Sequence, residues 1–228
     1  MDEAEQIRRD FALGWGRIGA AWGVAPSTAA VQGYLLLHGG PLTEAELRGA
    51  LGLSHKAMFT ALAECEGWGL VERVEPKRTG RRGPAGRAWV AVDDHWEWFR
   101  RVAAARKVRE TDPVLPLLDD CLRRAHSANA GELRERVASL LAFTHKFDRG
   151  INAVVRSDSA AVAHLFEVMD RLDDATLDRL VAALVPVPAD ELARAAASVA
   201  SMRPQLFRRL VRLASQPGIA RLLAGMAR

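Results

Sequence analysis

Tyrosine occurs once and cysteine twice in these 228 residues, and isoleucine is scarce. Alanine, leucine, arginine and valine dominate instead, a balance that favours helix over sheet. The two cysteines, Cys65 and Cys121, stand far apart in apolar helical surroundings. No disulfide framework or CxxC metal pair is present, and both fit buried thiols in a reducing compartment. No run of about 18 apolar residues occurs, so no membrane-spanning helix is expected. The opening "MDEAEQIRRD" is charged from its start, so no signal peptide is expected there and the chain reads as soluble and cytoplasmic. Walker loops, GxGxxG strings and nucleophile–base signatures are all missing, so neither an enzyme nor a cofactor is expected. Acidic residues stop at Glu191, after which Arg194, Arg203, Arg208, Arg209, Arg212, Arg221 and Arg228 all follow.

Half of the chain is apolar (49%) and the net charge is +4. That is enough for one sizeable packed domain or two small ones. Residues 3–22 read as an amphipathic helix with Ile7, Phe11, Trp15, Ile18 and Trp22 on one face. Its glycines and alanines make it thin, which lets another helix approach closely. A second helix is expected at 27–38, ended by "GGP". Thr43 and Glu46 have the spacing of a capping box, with Leu42 and Leu47 as a hydrophobic staple around a short helix at 44–51. Gly52 stops it. Ser54 caps the next helix, which runs to about Trp68 and turns Met58, Leu62 and Cys65 inward.

Two short strands follow, "LVERVEP" at 70–76 and "AWVAV" at 88–92. The glycine-rich loop between them carries Lys77, Arg78, Arg81, Arg82 and Arg87. Helix, short helix, turn, helix, strand, basic loop, strand is the order of a winged helix-turn-helix with a two-stranded β wing. In that arrangement the helix after the turn presents its outward face to a major groove. The basic loop beside it reaches phosphates or the minor groove. From Asp94 the chain is helical again, with Asp94 and Glu97 repeating the capping-box spacing and Pro113 and Pro116 as punctuation. Further helices are expected at about 117–127, 130–155, 159–170, 174–184, 189–200, 203–214 and 218–227. The last five have similar lengths, and no shared motif or internal repeat is read among them.

The string "LTEAELRGALGLSHKAMFTALAECEGWGLVERVEPKRTGRRGPAGRAW" resembles the MarR-type winged-helix regulators. "GWGRIGAAWGVAPSTAAVQGYLLLHGGPLT" before it and "DDHWEWFRRVAAARKVRETDP" after it are similar to the GbsR branch, named for regulators of choline and glycine betaine genes. The resemblance spans roughly residues 10–115. It implies a mainly α homodimer that binds double-stranded DNA, with N- and C-terminal dimerisation helices flanking the winged domains and an effector site between them. It places the DNA-reading positions at Ser54, His55, Lys56, Phe59 and Thr60, beside the wing residues Lys77, Arg78, Arg81, Arg82 and Arg87. Members of the family often carry small polar residues where this chain has Ala57, Phe59 and Ala63. Phe59 then either meets a thymine methyl or packs inward beside Met58.

Four regions are expected: an N-terminal packing and dimerisation helix at 1–26, the winged domain at 27–93, a helical linker and dimerisation region at 94–155, and a helical extension at 156–228. The function expected is that of a DNA-binding regulator, a repressor whose occupancy responds to a small molecule of unknown identity. A protein-interaction module on a degenerate winged-helix scaffold is the alternative, with the basic tail as its binding element. The six tryptophans read as core and dimer packing rather than as an aromatic cage, since Trp96, Trp98 and Phe99 are near-successive on one helix and are not expected to face one pocket. "DDHWE" reads as a capped helix start and not as a metal site. The Arg-rich amphipathic tail "RPQLFRRLVRLASQPGIARLLAGMAR" reads as the outer helix of a bundle, with docking on acidic residues such as Asp170, Asp173, Asp174 and Asp178 as an alternative, and a membrane is not among the expected partners.

Overall fold

The computed structural model describes residues 2–75, 87–216 and 218. The expected loop residues Lys77, Arg78, Arg81 and Arg82, and all but the first residue of the expected helix at 218–227, lie outside the described residues. The chain divides into two units, residues 1–165 and 166–228.

The first unit begins with α1 (Glu3–Ala21), capped by Asp2, which accepts from Ala4 N at 3.4 Å. Helix α2 (Pro26–His38) starts on a proline, whose missing N–H is not needed there. The two helices approach as closely as their small residues allow. A Cβ on Gly19 would lie 2.5 Å from Ala29 Cβ, and one on Gly33 would lie 2.8 Å from Trp15 Cδ1. The single tyrosine fastens the pair, because Tyr34 Oη donates to both Glu5 carboxylate oxygens at 2.9 Å. Thr28 Oγ1 donates to Glu64 Oε2 at 2.6 Å and ties α2 to the fourth helix.

Helix α3 (Glu44–Leu51) carries the full capping box, Thr43 Oγ1 accepting from Glu46 N and Glu46 accepting from Thr43 N. Gly52 ends it in the left-handed region at φ 65°. Helix α4 (His55–Gly67) is capped by Ser54, whose hydroxyl accepts from Ala57 N at 3.2 Å. Its inner face buries Met58, Ala61, Leu62 and Cys65 in one core with Val31, Leu35 and Leu47. Burial pushes the Cys65 thiol up to about 12, as expected of an inert core thiol; Cys121 is only half-buried.

The sheet has three strands, not the expected two. Strands β2 (Val71–Val74) and β3 (Ala88–Ala91) pair antiparallel, with Val71 opposite Ala91. A third strand, β1 (Leu42–Thr43), pairs with the other edge of β3, giving the order β1-β3-β2. The extended backbone that Thr43 needs as a helix cap also suits a strand, so the two residues before α3 serve both purposes.

Helix α5 (His95–Arg106) shows half of the expected box. Asp94 Oδ1 accepts from Trp96 N and Glu97 N. The Glu97 carboxylate does not reach back; it holds Arg100 and Arg101, each at 2.6 Å. Arg100 continues to the Val155 carbonyl at 2.9 Å and Arg101 to that of Gly69. A π-helical turn, Lys107–Thr111, extends α5, and Lys107 Nζ bridges Asp112 and Asp148, the latter at 2.9 Å. Helix α6 (Val114–Ser127) starts three residues earlier than expected, because Pro116 stands in its first turn, where no backbone donor is required. The long α7 (Gly131–Arg156) follows.

The last described helices are α8 (Ser159–Asp170), which leads into the second unit, α9 (Asp174–Leu184), α10 (Ala189–Ala200) and α11 (Pro204–Ala214). They form a repeat that the sequence reading misses. Asp158, Asp173, Pro188 and Arg203 stand fifteen residues apart, and each accepts from the backbone N–H groups three and four residues on. Val162, Leu177, Leu192 and Phe207 occupy one repeat position and Leu165, Leu180, Ala195 and Leu210 another. Among the described residues, α9, α10 and α11 bury none completely.

Candidate nucleic-acid interface

The inward residues of α4 recur at three and four, so its other side must face solvent. His55, Lys56, Phe59, Thr60 and Ala63 all lie on that exposed side, while Ala57 is half-buried. Phe59 is 65% exposed, so of its two expected placements the inward one beside Met58 is excluded. Ser54 is occupied by its capping bond and sits exposed at the helix start.

A groove of about 520 Å³ opens between α3, α4 and the sheet. His55 and Phe59 of α4 line it together with Arg87 and Trp89. Arg87 is thus gathered with α4 residues, whereas Lys56 and Thr60 are not among the groove's lining residues. Two further cations in the groove, Arg48 and Arg73, escaped the sequence reading.

Their partners differ. Arg73 donates to Glu66, with Nη2–Oε2 at 2.6 Å, and Trp89 Nε1 donates to the same carboxylate. Burial pushes the Glu66 carboxyl up, but the bonds from Arg73 and Trp89 outweigh it and hold its pKa below the usual value. Arg48 Nε is buried with no hydrogen-bond partner among the described residues. Glu44 Oε1 lies 3.4 Å from His55 Nε2. A concave surface that gathers three guanidinium groups with an exposed helix can hold an anionic backbone, while the helix meets base edges.

The tryptophans divide between two places. Trp15, Trp22, Trp68 and Trp98 line a small cavity of about 50 Å³ between α1, α2 and α5. Gln32 enters it almost fully buried, accepting from Trp15 Nε1 at 2.8 Å. Gln32 Nε2 and Trp98 Nε1 have no acceptor among the described residues. The Arg106 guanidinium stands over the Trp22 ring, 5.8 Å from its centroid. Trp96, Trp98 and Phe99 do border one open groove of about 360 Å³, contrary to expectation. Trp96 and Phe99 are one turn apart and meet edge to face at 6.4 Å.

Among the described residues no three metal-ligating side chains are gathered, and no helix is long and apolar enough to cross a membrane. No protein-family model and no curated protein matches the chain. A crystal structure described as that of a transcriptional regulator is similar over 65% of this chain and 95% of its own, with 17% identity and a TM-score of 0.49.

Proposed function

We propose that this chain is a sequence-specific DNA-binding regulator of the winged helix-turn-helix type. The carrying observation is the groove in which the exposed face of α4 meets Arg48, Arg73 and Arg87. In this reading α4 enters the major groove, with His55, Lys56, Phe59 and Thr60 toward the bases. Arg87 and the loop residues Lys77, Arg78, Arg81 and Arg82 neutralise phosphates. Arg48 and Arg73 add positive charge to the same groove. Residues 27–93 form the DNA-binding domain. Residues 1–26 and 94–155 supply the surfaces of a homodimer, and the protein acts as a repressor. In the same reading its occupancy responds to a small effector, whose site the tryptophan cavity of about 50 Å³ is too small to be.

Anisotropy titration with duplex DNA from upstream of the chain's own gene tests the reading. Each phosphate neutralised steepens the log–log salt dependence by about 0.9. Reversing Arg81 and Arg82 to glutamate should flatten that slope and remove binding. Salt-insensitive or absent binding to every duplex tried would reject the proposal. The exposed Phe59 and Ala63 favour one second reading, a protein-interaction surface on the same scaffold. In that case the arginine reversal leaves partner binding intact.

A further inference from the structure

The repeat positions that recur every fifteen residues bring an apolar side chain to the same place on successive helices, and repeat helices ordinarily bury that face against neighbours. Here that face stays open, with Leu165 56% and Leu180 52% exposed, and the last described helix is open along its whole apolar side. Along α11, Leu206, Phe207, Leu210, Val211 and Leu213 remain 42% to 51% exposed. At 3.6 residues per turn these side chains and Ala214 cover an arc of roughly 160°. Arg208, Arg209 and Arg212 fall in the remaining arc, with Arg208 and Arg209 toward its two edges. The helix is therefore split between an apolar half and a cationic half.

The charge pattern selects the occupant. Arg194 is paired with Asp190 at 2.8 Å. Beyond it Arg203, Arg208, Arg209 and Arg212 have no acidic partner among the described residues, and the sequence has no acidic residue after Glu191. A second copy laid α11 on α11 would set these guanidinium groups against their own kind. An anionic surface with an apolar layer beneath it satisfies both halves at once. Arginine stems lie along apolar surface while their heads stay with the anionic groups. A helix with strong separation of faces, arginines on one and leucine and phenylalanine on the other, lies in the plane of a lipid interface.

We propose that α11 is an interfacial helix that docks the second unit on an anionic bilayer surface, separately from the DNA-binding reading of the first unit. The test is flotation of the full chain with vesicles of equal phosphatidylglycerol and phosphatidylcholine, beside vesicles of phosphatidylcholine alone. Binding to the first, weak binding to the second and loss with added salt are expected. Each cation near such a surface contributes roughly a fivefold gain in partitioning, so reversing Arg208 and Arg209 to glutamate should lower binding at least about tenfold. Phe207→Ser with Leu210→Ser, on exposed positions, should abolish it while circular dichroism shows the helix content unchanged.

Reversal of Arg81 and Arg82 separates the two readings. It should remove DNA binding and leave flotation as it was; lost flotation would place the lipid contact in the basic loop and overturn the proposal. No binding to either vesicle, or equal binding to both, would also overturn it. So would a concentration-dependent rise in mass in solution that the Phe207 and Leu210 changes reverse, which would make the face a contact between copies.

Discussion

At the residue scale, Glu97 joins more of the first unit than its place on a helix surface suggests. Its hydrogen bonds from Arg100 and Arg101, ahead of the opposing effect of burial, bring its carboxyl down from the usual 4.5 to about 2. Through those arginines it fixes α5 to the carbonyls of Val155 and Gly69. A depressed folded-state value means that its stabilisation is fully present above pH 4.5 and is lost as the pH falls through 2. Glu97→Gln should therefore lower stability at pH 7 by on the order of 1–3 kcal/mol. Urea unfolding of both proteins across pH should show that difference shrinking between 4.5 and 2. Phe59 makes a different kind of prediction. Being 65% exposed, it contributes little to the core, so Phe59→Ala should change stability by less than about 0.5 kcal/mol. If its ring meets a thymine methyl, replacing that thymine by uracil should weaken wild-type binding and leave the alanine variant unaffected. Equal losses in both proteins would remove Phe59 from base reading.

At the scale of elements, the α1–α2 contact depends on missing side chains. Gly19→Ala forces a Cβ to within 2.5 Å of Ala29 and should cost about 1–3 kcal/mol in thermal or denaturant unfolding. Gly49 in α3 has nothing within 4 Å of such a Cβ, so Gly49→Ala should stabilise by up to about 1 kcal/mol. The pair distinguishes a packing glycine from one that merely weakens a helix. Local chemistry of this kind was legible in the sequence. Thr43 with Glu46, Ser54 and Gly52 signal ends of α3 and α4 because caps act over a few residues. What escaped depends on distant partners. Strand β1 is too short to show a period, and only Trp89 and Ala88 across from it make it a strand. The π-helical turn at Lys107 is accompanied by ion pairs that reach Asp148 on another helix. The fifteen-residue repeat was hidden because its cap is an aspartate twice, then a proline, then an arginine. Arg48 and Arg73 joined the groove only when α3, α4 and the sheet came together.

For the whole molecule, the proposed regulator needs two reading heads, since one α4 and one loop address only half of a symmetric site. A face suited to joining two copies exists on α7. Leu133, Leu140 and Phe147 recur every seven residues, Phe143 lies one turn from Phe147, and all four are exposed. The two phenylalanines already stack, 6.2 Å between centroids at 14°. Sevenfold spacing keeps such a stripe turned toward a partner helix along its length. Burying it against the same stripe of a second copy would generate the two-fold axis that a palindromic site requires. Phe143→Glu with Phe147→Glu places four carboxylates in that contact across the pair. The double variant should fold normally, because neither ring is in the core, and should sediment as a monomer where the wild type sediments as a dimer. Its DNA affinity should fall on the order of a hundredfold, since the second head would no longer be delivered at high effective concentration. A wild-type chain that is monomeric at micromolar concentration, or a variant that still dimerises, would move the contact away from α7.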